Sequence, residues 1–239
     1  MIQLAIVQKA PVFLDKQKTI ELAVDCIEEA AANNAELVVF SEAFIPGYPA
    51  WIWRLRPGSD WVLSEELHQR LLRNAINVHS DDLQPLYKAA KKHHVTIVCG
   101  IEERDNRLCQ TTLYNTIITI GQDGELLNKH RKLMPTNPER MVWGFGDASG
   151  LKVVETQAGR IGSLLCWENY MPLARYALYA QGVEIYIAPT YDSGDGWIGS
   201  LQHNAREGCC WRIGCGCITK GSDILDDFPG QSTGYHDRN

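Results

Sequence analysis

Three side chains follow strand-like runs: Glu42 after Val-Val-Phe-Ser, Lys132 after Asn-Lys-His-Arg, and Cys166 after Gly-Ser-Leu-Leu. A thiolate is a soft, strong nucleophile, but a free cysteine, with a pKa of about 8.5, is mostly protonated at neutrality. A carboxyl group whose own pKa is lifted by burial can take that proton and later return it. A fixed ammonium can meet negative charge as it develops on a reacting atom. Together the three would carry out nucleophilic catalysis through a covalent intermediate. Taken singly, each has a stronger ordinary reading: Glu42 as a helix cap, Lys132 as a solvated turn residue, Cys166 as an inert core thiol. His130, two residues before Lys132, and His203, in GSLQHNAREG, read as structural, because a glutamate base leaves no role for a Cys-His pair.

Residues so far apart in the chain converge only if the fold brings strand ends together, as α/β folds do. The sequence is patterned for that. Short β-branched runs at 4–8, 36–42, 95–103 and 183–190 alternate with helical stretches at 16–33, 81–93, 172–181 and 197–210, and IGCGCITK supplies a last strand. Residues 113–132 read as a hairpin about a glycine-containing turn, and 151–166 as a second one turning at Ala158-Gly159. Buried strands, helices and hairpins in this order imply a layered α/β fold with mixed sheets. Residues 46–62, with Trp51, Trp53 and Trp61 among turn formers, read as a lid or contact loop. The chain divides into one domain over 1–220 and a polar tail over 221–239, read as truncated or disordered.

Length and charge bound the partners. The 239 residues are enough for one domain with a sizeable core, and a formal charge of -6 without a Lys/Arg block excludes a phosphate backbone as partner. The N-terminus has no signal-peptide pattern and no run reaches membrane-spanning length, so a cytoplasmic protein is expected, with neither nucleic acid nor membrane as partner. Eight cysteines without a secretion signal read as reduced thiols. No C-x-x-C pair occurs, and Cys215 and Cys217 alternate as packing residues on one strand face, so no metal is expected.

SEAFIPGYP (41–49), HRKLMPTNPER (130–140) and CWENYMPLAR (166–175), in that order, resemble the three catalytic segments of the nitrilase superfamily. The likeness runs from the first strand to about residue 218. Cys-Trp-Glu-Asn followed by Met-Pro is more similar to nitrilases proper than to the aliphatic amidase, carbamoylase or ω-amidase branches. The resemblance implies a four-layer α-β-β-α sandwich with two mixed sheets, no cofactor, and hydrolysis of a non-peptide carbon-nitrogen bond, an organic nitrile giving carboxylic acid and ammonia through a thioimidate and a thioester. It places Cys166 as nucleophile, Glu42 as general base, Lys132 as electrostatic stabiliser and Glu139 as the second glutamate. On its own Glu139 reads equally as a residue favouring the positive end of a helix.

Tyr48, Thr136, Trp167, Thr190 and Tyr191 adjoin these segments and are the candidate substrate-binding residues, and the Trp167 N–H is a candidate charge-stabilising donor. Glu168 and Asn169 either orient the nucleophile turn or cap the next helix. Two alternatives stay open: an amidase or cyanide/nitrile hydratase-like enzyme of the same superfamily, and a catalytically silent assembly scaffold. The family's subunit contacts imply a homodimer through helices near the nucleophile, with spiral growth through an insertion at 54–80 paired with 221–235. Nitrilases usually continue beyond the point where this sequence stops, so a shortened form or an omitted tail is expected.

Overall fold

A computed structural model of the chain describes residues 2–56, 58–105, 110–221, 224, 228 and 229. The first sheet has five strands, β1 (Leu4–Ile6), β2 (Leu37–Val39), β3 (Thr96–Arg104), β4 (Leu113–Ile120) and β5 (Leu126–Arg131), in spatial order β1-β2-β3-β4-β5. β1, β2 and β3 are parallel, and β3, β4 and β5 antiparallel. The second has four strands, β6 (Val154–Thr156), β7 (Gly159–Ser163), β8 (Ile185–Thr190) and β9 (Trp211–Gly216), with β6 antiparallel to β7 and the rest parallel. Both sheets are therefore mixed, as expected.

Strand alternation builds the layers. Leu37, Val39, Val98 and Ile117 of the first sheet meet Ile161, Ile185, Ile187 and Cys215 of the second in one buried cluster between the sheets. Their neighbours Val38, Ile97, Cys99, Ile118 and Ile120 face the opposite way, under α1 (Lys16–Ala32) and α3 (Gln84–His93). α1 forms because Ile20, Ala23, Cys26, Ile27 and Ala30 recur at helical spacing and are buried, and because the Asp15 carboxylate caps it by accepting from the Lys18 N–H at 3.0 Å. Over the second sheet, α4 (Pro172–Tyr179) buries Ala174 and Leu178 against Leu164, Val183 and Tyr186. α5 (Asp195–Gly208) joins α4 through Glu207, which accepts from Arg175 Nε at 2.8 Å and Tyr179 OH at 3.0 Å. The order helix, sheet, sheet, helix is the four-layer sandwich. Each large aliphatic side chain buried in it contributes about 1.5–3 kcal/mol.

Several local readings shift. The segment that includes residues 61–62 is not all loop: α2 (Trp61–Asn74) is an amphipathic helix with Leu67 and Leu71 buried four positions apart. The second hairpin turns at Gln157-Ala158, and Gly159, with φ +123°, already pairs with Thr156. The last strand begins at Trp211 and ends at Gly216, so Cys215 packs between the sheets while Cys217 lies past the strand, its Sγ 3.2 Å from the Glu42 carbonyl. Of the expected tail, Phe228 is buried, with its ring 5.9 Å from that of Phe13 and 5.8 Å from that of Trp51. The remainder of that reading, including most of 221–235 as a partner for 54–80, lies outside the described residues. Among the described residues no helix is long and apolar enough to cross a membrane.

One close approach links fold to site. Gly100, in β3, lies directly under the turn that follows β2, and a Cβ there would stand 2.5 Å from Ala43 N and collide with the Ser41 carbonyl. Gly100→Ala is therefore expected to displace the Glu42 turn. It should lower stability by about 1–3 kcal/mol in thermal unfolding and depress catalysis in the folded fraction; wild-type values of both would contradict this packing.

Candidate active site

The three sandwich-edge turns that carry Glu42, Lys132 and Cys166 open on the same side. Glu42 follows β2 and is followed by Ala43 at φ +48°; Lys132 follows β5; Cys166 begins a 3-10 turn after β7 and itself has φ +43°. Asn137, which opens the 3-10 turn Asn137–Met141 bearing Glu139, has φ +40°. Positive φ at a residue with a Cβ costs roughly 1–3 kcal/mol, so the surrounding packing must enforce each of these turns.

Lys132 is the centre of the cluster. Its side chain is completely buried, and Nζ lies 2.9 Å from Glu42 Oε1 and 2.7 Å from Glu139 Oε2. A solvated turn lysine this is not. Burial works against its charge, but the adjacent Glu42 and Glu139 carboxylates outweigh burial and hold the ammonium above its ordinary pKa. The remaining lone pairs of the carboxylates are met as well. Glu42 accepts from Asn115 Nδ2 on Oε1 at 2.8 Å and from the Tyr191 N–H on Oε2 at 2.9 Å. Glu139 accepts from Tyr48 OH at 2.7 Å and from the Thr136 N–H at 2.6 Å. Glu139 thus both braces its own turn and pairs with Lys132, so neither of its two readings excludes the other.

The Cys166 thiol accepts a hydrogen bond from Thr190 Oγ1 at 3.1 Å, and that hydroxyl in turn accepts from the Asp192 N–H at 2.9 Å. Burial, reinforced by the Glu42 charge, pushes the thiol up to about 12, against the pull of Lys132 and Thr190. Burial likewise raises Glu42, with Lys132 opposing. Burial thus raises carboxyl and thiol together, making Glu42 a stronger base toward the thiol, while Lys132, Asn115 and the Tyr191 N–H all donate to its ionised form, the form that can accept the thiol proton.

The nucleophile turn is tied down by the residues beside it. Glu168, fully buried, accepts from His130 Nε2 at 2.9 Å, the Leu133 N–H at 2.8 Å and the Leu165 N–H at 2.7 Å, joining the end of β5 to the start of the Cys166 turn. Asn169 donates Nδ2 to the Cys166 carbonyl at 2.8 Å, and its Oδ1 accepts from Arg212. His130 is in the core as Glu168's partner, and His203 is exposed beside Glu207.

A cleft of about 700 Å³ reaches Cys166 and Glu139 from the surface, lined by Tyr48, Thr136, Trp167 and Tyr191 among others. The fifth substrate-binding candidate, Thr190, is not part of its lining and instead contacts the thiol. Tyr48 and Tyr191 stack with ring centroids 4.1 Å apart, and Trp53 Nε1 donates to Tyr48 OH at 2.9 Å. Sequence reasoning missed Trp53, Met134, Arg140 and Asp192 in the lining, and Asn115 on Glu42. Trp53 was findable, since it belongs to the aromatic segment read as a lid; Asn115 sits inside a strand with no local signal. Among the described residues no group of three or more His, Cys, Asp and Glu side chains is arranged to hold a metal ion.

Residues 3–232 match the carbon-nitrogen hydrolase family. The chain is 43% identical over 211 residues to the bifunctional nitrilase/nitrile hydratase NIT4A of Lupinus angustifolius, covering 88% of this chain and 59% of that protein. It is 41% identical over 227 residues to an aliphatic nitrilase of Sinorhizobium fredii (strain HH103), covering 94% of this chain and 70% of that one. The chain thus spans about three fifths of the length of the lupin relative. In fold it is similar to Saccharomyces cerevisiae Nit3, a member of branch 10 of the nitrilase superfamily, with a TM-score of 0.74 and 23% identity over 92% of this chain and 76% of that one.

Removing the central cation leaves two carboxylates buried against each other. Lys132→Met is expected to cost about 3–5 kcal/mol in denaturant unfolding, and replacing Glu139 with Gln as well should recover part of that loss. An unchanged unfolding midpoint in Lys132→Met would contradict the buried pairing.

Proposed function

The chain belongs to the carbon-nitrogen hydrolase family, and from that premise we propose that it is a nitrilase that converts an organic nitrile to the carboxylic acid and ammonia. In this reading Cys166 is the nucleophile, Glu42 the general base, Lys132 the electrostatic stabiliser and Glu139 the second glutamate. The observation that carries it is the buried Lys132 ammonium held by Glu42 and Glu139, the latter lining the same cleft as Cys166. Identity of 41% to an aliphatic nitrilase supports the same substrate class.

Glu42 accepts the thiol proton as Sγ adds to the nitrile carbon, and the proton passes to the nitrile nitrogen to give a thioimidate. Water then adds to that carbon, again with Glu42 taking the proton, and the tetrahedral intermediate carries oxygen, nitrogen and sulfur. Lys132 and the Trp167 N–H meet the charge that develops. Loss of ammonia leaves a thioester, and a second water releases the acid and restores the thiol. Breaking the carbon-sulfur bond in place of the carbon-nitrogen bond would release the amide. The lupin relative is a bifunctional nitrilase/nitrile hydratase, which favours amide as a second product. Tyr48, Thr136, Trp167 and Tyr191 wall the substrate, while Thr190 aims the thiol.

The proposal includes a homodimer built through α4, whose Leu173 and Tyr176 are 85% and 67% exposed. Spiral growth through 54–80 is supported by exposed Trp61 and Val62 at the start of α2. A cytoplasmic location is supported by the unpaired cysteines of the described residues.

The test is ammonia release from a panel of nitriles and amides, with acid and amide products separated. Nitriles are expected to give mainly acid, Cys166→Ala to abolish turnover, and Glu42→Gln to lower kcat by roughly 10²–10⁴-fold. Turnover that survives Cys166→Ala would overturn the reading. Because the raised Glu42 must be ionised to accept the thiol proton, activity should be lost as pH falls through its elevated pKa. The acidic limb of kcat/KM should therefore lie above the ordinary glutamate value of about 4.3, and a limb at or below it would contradict Glu42 as the base. Light scattering should report a dimer or larger; a monomer at working concentration would remove the assembly proposal.

A further inference from the structure

One buried carboxyl group close to the site has no part in the chemistry above. Glu102, in β3, is wholly inaccessible to solvent, and its Oε2 accepts from Trp143 Nε1 at 2.5 Å. Its Oε1 is buried without a hydrogen-bond partner. Across the antiparallel pairing of β3 and β4, the residue directly opposite Glu102 is Asn115, and the side chains of such a pair share one face of the sheet at close range. Asn115 Oδ1 is also buried and without a partner. The donor end of that amide is committed, since Nδ2 donates to Glu42 Oε1 at 2.8 Å.

Two acceptor oxygens on directly opposed residues of one sheet face, both buried and both unpartnered, are costly as they stand. A single proton between them removes the cost. We infer that Glu102 is a positioning residue whose carboxyl keeps a proton on Oε1 and donates it to Asn115 Oδ1, fixing the amide that donates to Glu42. A relay of three hydrogen bonds then runs from Trp143 through Glu102 and Asn115 to Glu42, each side chain donating to the next in one direction. Burial supports the neutral form, pushing Glu102 well above the usual carboxylate range, and Glu42 and Glu139 act in the same sense, against Trp143 and Lys132. A neutral acid here also avoids a third buried negative charge around a single lysine.

The consequence falls on Glu42. A hydrogen bond to the ionised form of a carboxylate lowers its pKa, and Asn115 has that effect on Glu42. The other charged or titratable groups acting on Glu42 include Lys132 and Glu139, together with the Tyr48 hydroxyl and the Cys166 and Cys217 thiols. Glu102 is set apart from these because it acts only through the orientation of a neutral amide. The inference rests on the reading of Glu42 as the base.

Four variants and one spectrum test it. In Glu102→Gln the new amide can still donate to Asn115 Oδ1 and accept from Trp143, so kcat/KM should stay within about twofold of wild type with an unmoved acidic limb. Glu102→Leu should lower kcat by roughly tenfold or more with little change in KM, and should move the acidic limb to higher pH. Asn115→Leu should move the limb in the same direction, and the double variant should add little to it. The infrared difference between wild type and Glu102→Gln at neutral pH should contain the carbonyl stretch of a protonated carboxyl group. Carboxylate bands in its place, a Glu102→Leu limb that does not move, or a Glu102→Gln variant as impaired as Glu102→Leu would each overturn the inference. Full turnover in Glu42→Gln would instead remove the base assignment, and the infrared band would still decide the protonation of Glu102.

Discussion

The structure depends on one buried cation. Lys132 has no solvent to stabilise its charge, and Glu42 and Glu139 hold it at 2.9 and 2.7 Å. Taking three charges out of water costs several kcal/mol for each ion, and mutual attraction repays that only when every remaining lone pair is also met. Asn115, the Tyr191 N–H, Tyr48 and the Thr136 N–H supply the missing donors. Each comes from a different part of the chain: β4, the end of β8, the aromatic segment after β2, and the turn after β5. The cluster can form only when both sheets are in register, so the same charges that suit the site for chemistry also report that the fold is complete.

The sandwich meets this demand by placing strained turns at the edges of an unstrained interior. Leu37, Val39, Ile117, Ile185 and Ile187 fix the sheets face to face through apolar contact. Left-handed backbone at Ala43, Asn137 and Cys166 lies within two residues of Glu42, Glu139 and the thiol. Such turns persist because the core over-determines them. Gly100 gives the Glu42 turn its room, and Glu168 clamps the Cys166 turn to the strand that delivers Lys132. The thiol is thereby held at a sharp bend where its Sγ meets Thr190 on one side and opens to the cleft on the other.

Much of this was legible before any coordinates. Strand runs, both hairpins, and the layered α/β class follow from apolar periodicity, and Glu42, Lys132, Glu139 and Cys166 stand out through the motifs around them. Periodicity failed at α2, where turn formers just upstream masked a helix that fully buries Leu67 and Leu71, with Leu63 and Leu72 packed beside them. The hydrogen-bond partners were out of reach for a different reason. Asn115 meets Glu42 because β4 pairs with β3 in one particular register, and Thr190 meets Cys166 because the ends of β7 and β8 are adjacent. A residue's type shows what it can donate or accept; the register decides to whom. Thr190 illustrates this, since its position beside Tyr191 suggested a substrate wall and its hydroxyl contacts the thiol.

The central claim is that a covalent bond to the substrate forms at Cys166 and nowhere else among the cysteines. The direct measurement is to quench the protein with acid during nitrile turnover and map the modified peptide by tandem mass spectrometry. The account predicts an acyl or imidoyl adduct on the peptide that carries CWENYM, absent from Cys166→Ala and unaffected by Cys26→Ala. An adduct on another cysteine, or steady turnover with no adduct after trapping on every timescale of the reaction, would contradict it.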